Sequence, residues 1–333
     1  MAGGQERALR SRIRSIQATK KITRAMELIA ASRIVKAQQR VHAAVPYSEQ
    51  ITQVVKDLAA AGGSESSSPL LVGRPDVKKV CYVAVVADRG LCGGYNSGVL
   101  RSVEGEIKAD VKAGREYTIV TVGKKAEAYF RFRGYKMAHS VGGFSENPTY
   151  EQAKVLGQKV VALFDSGEVD SVQLVYTRFV SAGFQEVVLR PLVPLDRELT
   201  TDGAVKAAEG AAGGYEFEPS PETILDTLVP RYIEARVYAA LLNAAASEHA
   251  ARQRAMKAAT DNADEIAKNL TRVMNRARQD SITTEIMEIV SGAEALSGGK
   301  SQPKVQLVDL GPLNDSPIGD TESFVTSTQH SRD

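Results

Sequence analysis

Tryptophan is absent from the 333 residues, and only two cysteines occur, Cys81 and Cys92. Two such cysteines make neither a disulfide framework nor a metal-ligand spacing, which fits a reducing compartment. The four histidines, His42, His139, His249 and His330, are scattered along the chain. No His–Cys–Asp cluster therefore suggests a metal site or a nucleophile paired with a base. No run of about 18 apolar residues is present to span a bilayer, and the first residues carry no apolar signal-peptide core. A net excess of one charge is also missing, with 42 Lys and Arg against 40 Asp and Glu. Neither a general attraction to nucleic acid nor one to a membrane surface follows from that balance. The expectation is a soluble chain that meets a membrane only through partners.

Proline and glycine are scarce in two long stretches. No Pro precedes Pro46, and no Gly falls between Gln5 and Ala61. The segment is rich in Ala, Arg, Lys, Gln and Glu, all good helix formers. Its apolar positions run Leu9, Ile13, Ile16, then Ile22, Met26, Ile29, then Ala30, Ile34, Ala37, Val41, Ala44. The last set steps 4, 3, 4, 3, a heptad seam reached after a change of phase. Roughly 50 helical residues would extend about 75 Å. A second stretch from Pro230 to Pro303 has no internal Pro and no Gly before Gly292. Its apolar positions read Ile266, Leu270, Val273, Ala277, then restart as Ile282, Ile286, Ile289, Ala293, Leu296. Two such helices cannot bury their stripes alone, so an antiparallel pair of the chain's two ends is predicted. The Ala-rich run 239–246 would let another helix approach closely.

Between these stretches the pattern shortens. Lys79–Asp88, Tyr117–Gly123, Ser171–Val180 and Glu186–Val193 read as strands, with helical patterns around Gly98–Ala113 and Tyr150–Phe164. Alternating strands and helices predict a mostly parallel α/β sheet whose last two strands form an antiparallel edge hairpin. Gly62–Pro75 and Thr200–Gly214 are linker-like, and Ser297–Asp333 reads as a disordered tail.

The Gly-rich turn "ADRGLCGGYN" (Ala87–Asn96) follows a strand and precedes a helix, the place where dinucleotide folds hold pyrophosphate. It matches neither G-x-G-x-x-G nor the P-loop spacing. Its glycines fit close approach to a neighbouring element, with nucleotide binding as the alternative. Cys92 beside Arg89 is a lone thiol without a nearby His, an ordinarily inert arrangement. The basic first helix carries ten Lys or Arg against two Glu through Arg40. It suits either a solvated or nucleic-acid-binding face, or a surface facing an acidic partner. Few aromatics interleave with the charges, which disfavours single-stranded nucleic acid.

Three stretches carry a resemblance: "RIRSIQATKKITRAMELIAASRIVKAQ" (Arg12–Gln38), "DRGLCGGYN" (Asp88–Asn96), and Ala246–Leu296, beginning "ASEHAARQRAMKAATDNADEIAKNLTRVMNRARQDSITTEIMEIV". Shorter likeness appears at "VGKKAEAYF" (Val122–Phe130) and Tyr215–Tyr238. Over about residues 5–296 the sequence resembles the gamma subunits of F-type ATP synthases. The resemblance implies a long antiparallel coiled coil of N- and C-terminal helices with an inserted Rossmann-like α/β domain. Its parts would be a shaft helix over 1–61, the α/β domain over 76–200, a second shaft helix over 215–296 and an extension over 297–333. It implies a central rotor shaft without an active site or cofactor, since catalysis lies on the beta subunits. The implied partners are the alpha and beta subunits of the head, the epsilon subunit and the membrane c-ring, with no nucleic acid. It also implies a peripheral position at the cytoplasmic face of a bacterial plasma membrane, the absence of a transit peptide favouring a bacterial source. Residue by residue, it implies beta-subunit contacts at Met26, Arg252, Arg278 and Gln279, with Thr283 and Glu285 just beyond. Tyr215 and Glu218 would face the c-ring and epsilon, and Phe217 stands where an aromatic is usual.

Family members usually end near the "GAEAL" at Gly292–Leu296, so residues 297–333 are a departure, read as a dispensable extension. Removing Ser297–Asp333 is expected to leave coupled ATP synthesis intact in membrane vesicles carrying the truncated chain. A large loss of coupling would instead give the extension a part in rotation.

Overall fold

The computed structural model describes residues 2–61, 70, 73–195, 218 and 220–296. It divides into two compact units, Met1–Arg278 and Gln279–Asp333. Helix α1 spans Ala2–Ala61 and α5 spans Pro221–Leu296. Between them come β1 (Lys79–Val85), α2 (Tyr95–Lys112), β2 (Glu116–Val122), α3 (Lys124–Phe132), β3 (Met137–Val141), α4 (Tyr150–Asp165), β4 (Ser171–Phe179) and β5 (Gln185–Val193). The sheet order is β3-β2-β1-β4-β5, parallel except for the antiparallel β4–β5 hairpin. The predicted α/β architecture and edge hairpin are therefore present. Strand β3 and helix α3 were not predicted. β3 is a short, half-buried edge strand without the apolar run that marks its neighbours, and a short edge strand leaves little pattern to read.

β1 is central, and its side chains alternate between two cores. Val80, Tyr82, Ala84 and Val86 pack with Val99, Leu100, Val103 and Ile107 of α2 and Ala126 and Phe130 of α3. Cys81, Val83 and Val85 point the other way, into a larger core with Ala153, Leu156, Val160 and Phe164 of α4. That second core also takes Ile51, Val55 and Leu58 of α1 and Leu225, Val229, Ile233 and Leu241 of α5. The two long helices thus form the wall on one face of the sheet. Each fully buried large apolar side chain contributes about 1.5–3 kcal/mol, so this interface holds the helices firmly. It also explains why α5 is buried almost all round from Tyr232 to Ala250.

Farther along, within the first unit, the helices pair with each other. The hydroxyls of Thr23 and Thr260 meet at 2.8 Å, and Lys20 pairs with Asp264. Rising numbers on α1 against falling numbers on α5 make the pair antiparallel, as predicted. The seam is not the predicted one throughout. Ala30, Ile34 and Ala37 are buried, but Ile22 and Ile29 are exposed and the seam there is Thr23 and Glu27. On α5 the buried positions are Thr260, Ala263 and Ala267, while Ile266 and Val273 are exposed. The cause is the phase change: small and hydroxyl-bearing residues let the backbones approach closely, and the larger apolar residues fall outside. In the second unit, Gln279–Leu296 is helical, and Ile282, Ile286, Met287, Ile289, Val290 and Leu296 are exposed. The linker-like 200–214 and the tail 297–333 lie outside the described residues, as does most of 62–75.

Two local devices hold the sheet. Gly123, at the end of β2, has φ +100°, and a Cβ there would stand 2.2 Å from the carbonyl oxygen of Val86. Gly123→Ala is expected to destabilise the chain by at least about 2 kcal/mol in urea unfolding, from backbone strain added to the collision. At the other end of the strands, Asp170 accepts from Arg74 (2.8 Å) and from the backbone N–H groups of Lys78 and Lys79 (2.9 Å each). Burial by itself pushes this carboxyl up, but Arg74 and the two N–H groups outweigh it and hold it below its ordinary 3.8. A lowered carboxyl stabilises the fold above its unfolded value and loses that contribution as pH falls through the folded one. Asp170→Asn is accordingly expected to lower the thermal midpoint at neutral pH. The gap from the native chain should close below about pH 4, in melts recorded across pH.

Candidate functional site

In open α/β sheets a ligand ordinarily lies beyond the carboxyl ends of the strands, where the strand order reverses. Here that place is beyond β1 and β4, and α5 of the same chain crosses it. Ser247 donates its hydroxyl proton to the carbonyl of Thr177 (3.0 Å), and Tyr95 donates to the carbonyl of Ala244 (3.1 Å). The backbone N–H of Phe179 donates to Asn243 (3.3 Å), and Arg254 donates to the carbonyl of Ala182 (2.6 Å). The Gly-rich turn lies against the same helix: a Cβ on Gly93, at φ +58°, would be 3.6 Å from Cβ of Ala255. That distance is ordinary van der Waals contact, so what asks for glycine at position 93 is its positive φ, and Gly90 and Gly94 have only Lys125 and Ser97 near them. Helix α5 thus crosses the place where a nucleotide would lie, and an open groove remains between it, the turn and the β4–β5 hairpin, lined by Gly93, Gly94, Thr177, Gln185 and Arg254.

Cys92 is buried in this interface, packed with Ala87 and Tyr95. Burial pushes its thiol up, and Glu248 nearby adds to the shift, so it stays protonated and unreactive at neutral pH. Leu91, beside it, is exposed and holds φ +61°, a left-handed conformation uncommon for a side chain of that size.

A polar cluster lies where the turn, the loop before α4 and the long helices meet. Glu248 is buried, and Arg252 donates to it at 2.7 Å. Burial pushes the Glu248 carboxyl up against the pull of Arg252. Arg252 also donates to the carbonyl of Gly90 (3.5 Å) and stands 3.6 Å from Glu146. His249 Nε2 donates to the carbonyl of Glu146 (3.2 Å); burial, the largest influence, holds its ring below the ordinary value and therefore neutral. Asp88 of the turn accepts from the backbone N–H groups of Lys124 (3.0 Å), Gly143 (2.8 Å) and Ser145 (2.9 Å). Burial pushes this carboxyl up, but those donors outweigh it and hold it low.

The site residues named from the resemblance are distributed over the two units. Met26 is half-buried on α1, next to the seam residue Glu27. Arg252, with its side chain 8% exposed, turns inward onto its own chain. Arg278 is exposed at the end of the first unit. Gln279, Thr283 and Glu285 are exposed in the second, where Thr283 donates to the backbone carbonyl of Gln279 at 3.0 Å. Glu218 is exposed; Tyr215 and Phe217 lie outside the described residues. Glu248 and Glu146 were not foreseen. Glu248 was legible in part, since Glu and Arg four apart share a helix face. Glu146 sits in a loop with no periodicity to read.

The protein-family model described as ATP synthase matches residues 5–296. The ATP synthase gamma chain of Frankia casuarinae is 50% identical over 300 residues, covering 89% of this chain and 99% of that relative. That of Kineococcus radiotolerans is 49% identical over 306 residues, covering 90% and 99%. Among solved structures, a chain of the Euglena gracilis mitochondrial ATP synthase aligns with a TM-score of 0.64 at 19% identity, covering 91% of this chain and 98% of that one. A chain of the Tetrahymena thermophila mitochondrial ATP synthase central stalk and c-ring aligns with a TM-score of 0.55 at 23% identity, covering 72% and 99%. At those identities the solved structures speak to fold alone. The long terminal helices, the sheet whose strand ends are crossed by one of them, and near-complete relatives at half identity agree: this chain belongs to the ATP synthase gamma-chain family.

Proposed function

We propose that the beta subunits of an F-type catalytic head read the angle of this chain through Met26 on α1 and through Arg278, Gln279, Thr283 and Glu285 on α5. As a member of the gamma-chain family the chain is a non-catalytic subunit, the central rotor shaft that couples rotation to ATP synthesis. The observation that carries this reading is the match along residues 5–296 to gamma chains half identical over nearly their whole length. The bonding of α5 across the strand ends beyond β1 and β4 supports it, since the sheet serves as a mount for α5.

The mechanism rests on asymmetry. Identical catalytic subunits around an asymmetric shaft meet different surfaces at any instant, and differential contact is what shifts a conformational equilibrium. Long helices transmit the turn, and polar side chains on their exposed faces supply orientation-dependent hydrogen bonds. The exposed apolar stripe Ile282, Ile286, Ile289 in the second unit fits an apolar bearing in the head. Arg252 enters through Glu248 and Gly90, holding its own helix, since its side chain faces inward. The partners in this reading are the alpha, beta and epsilon subunits and the c-ring, with Glu218 and Tyr215 toward the last two.

The chain is part of a membrane-associated complex, and no helix among the described residues is long and apolar enough to cross a membrane. The cytoplasmic face of a bacterial plasma membrane is the position we propose. The basic surface of α1 then faces acidic loops of the head, the second of its two readings.

Replacing Arg278 and Gln279 together with Ala is expected to leave the complex assembled and to lower its ATPase turnover roughly five- to thirtyfold. That is the effect of losing one or two hydrogen bonds of about 1 kcal/mol each at the transition state. Turnover of the purified complex decides it, and an unchanged rate would remove both residues from the proposed contact.

A further inference from the structure

We infer that Glu146 is a positioning residue, the joint by which the loop between β3 and α4 locks the sheet domain to both long helices so that they turn as one body. The inference rests on the rotor reading above and deepens it. One carboxylate is shared by three guanidinium groups from three elements. Arg33 reaches it from α1, Arg89 from the Gly-rich turn (3.7 Å) and Arg252 from α5 (3.6 Å). The backbone carbonyl of Glu146 accepts from His249 of α5, and the next two residues, Asn147 and Pro148, take the guanidinium of Arg40 on α1. Beside the apolar packing of Phe144, the helices thus reach this loop through directional polar contacts from Arg33, Arg40 and His249.

The loop is also held in shape from the side of the sheet. Asp88 gathers the N–H groups of Gly143 and Ser145, and Ser145 returns its hydroxyl oxygen to the N–H of Asp88 at 2.9 Å. Gly143 sits at φ +97°, and a Cβ on Gly142 would be 2.8 Å from the Asp88 carboxylate. A loop so constrained, with no substrate to bind, presents Glu146 at a fixed place.

That place matters mechanically. One end of the sheet domain is held to the helices by apolar packing around Ile51, Val55, Leu58 and Leu225. Toward Thr23 and Thr260 the helices pair with each other. Glu146 sits between, at the level where the pair leaves the domain, so a twist carried along the helices enters the sheet there. Apolar packing holds the domain on the helices but is non-directional, whereas a close ion pair such as Arg33 with Glu146 adds a contact with one preferred register.

The test uses the whole complex in membranes, with Glu146→Ala and Glu146→Gln beside the native chain. ATPase rate and ATP-driven proton pumping are measured per assembled complex, with and without an imposed opposing proton gradient. ATPase is expected to stay within twofold of native. Protons pumped per ATP are expected to fall at least threefold in Glu146→Ala, further against the gradient, with Glu146→Gln between. A ratio equal to native in both variants, or ATPase and pumping falling in equal proportion, would overturn the joint. If Glu146→Ala fails to assemble, the decision passes to Glu146→Gln and to Arg89→Ala, which trims one exposed arm; a native ratio in both overturns it. Failure of the native chain to support pumping in the same preparation would overturn the rotor reading and the joint with it.

Discussion

Two helices of 60 and 76 residues at opposite ends of one chain cannot each bury an apolar stripe alone, and their antiparallel pairing is the constraint on which the rest depends. It requires the chain to return from one helix to the other, and the inserted α/β domain is that return. The domain is more than a connector, because the lower halves of both helices form the wall of its larger core. Pairing and folding are therefore one event: the helices complete the sheet's core, and the sheet holds the helices in register.

The sheet has the topology of nucleotide-binding folds, yet α5 crosses its carboxyl end. In this chain the carboxyl end of the sheet serves as a mount for α5. The turn rich in glycine after the central strand lies against α5, with Gly93 at a positive φ beside Ala255 and Tyr95 bonded to Ala244. The burial that this packing brings accounts for the inert chemistry of the cluster. Cys92 and His249 are held neutral chiefly by burial, and Arg252 is committed to Glu248. Groups that elsewhere would signal catalysis bind the domain to its helices.

The seam shows where reading from sequence stops. Ala30, Ile34 and Ala37 step as a heptad and are buried, because a regular spacing of apolar residues leaves only one face to hide. Upstream, the obvious apolar choices Ile22 and Ile29 proved exposed, and Thr23 and Glu27 took their place. A hydroxyl can occupy a seam when a second hydroxyl opposes it, and whether Thr23 meets Thr260 depends on the register between helices more than two hundred residues apart. Of the site residues, Arg278, Gln279, Thr283 and Glu285 are exposed and so available for contact, whereas Arg252, on an equally polar stretch, points inward. Nothing in its neighbours' spacing marks that difference apart from Glu248 four residues earlier.

By itself the sequence determined the two long helices, the parallel order of the central strands with their edge hairpin, and the family. These follow from local periodicity and from motifs long enough to be specific. Tertiary structure alone decided which residues of the helices face each other and what crosses the strand ends beyond β1 and β4. It also brought a loop glutamate to the meeting point of Arg33, Arg89 and Arg252. The physical reason is range: periodicity reports what one element must bury, whereas close packing and charge pairing depend on elements that meet only after the chain has folded back on itself.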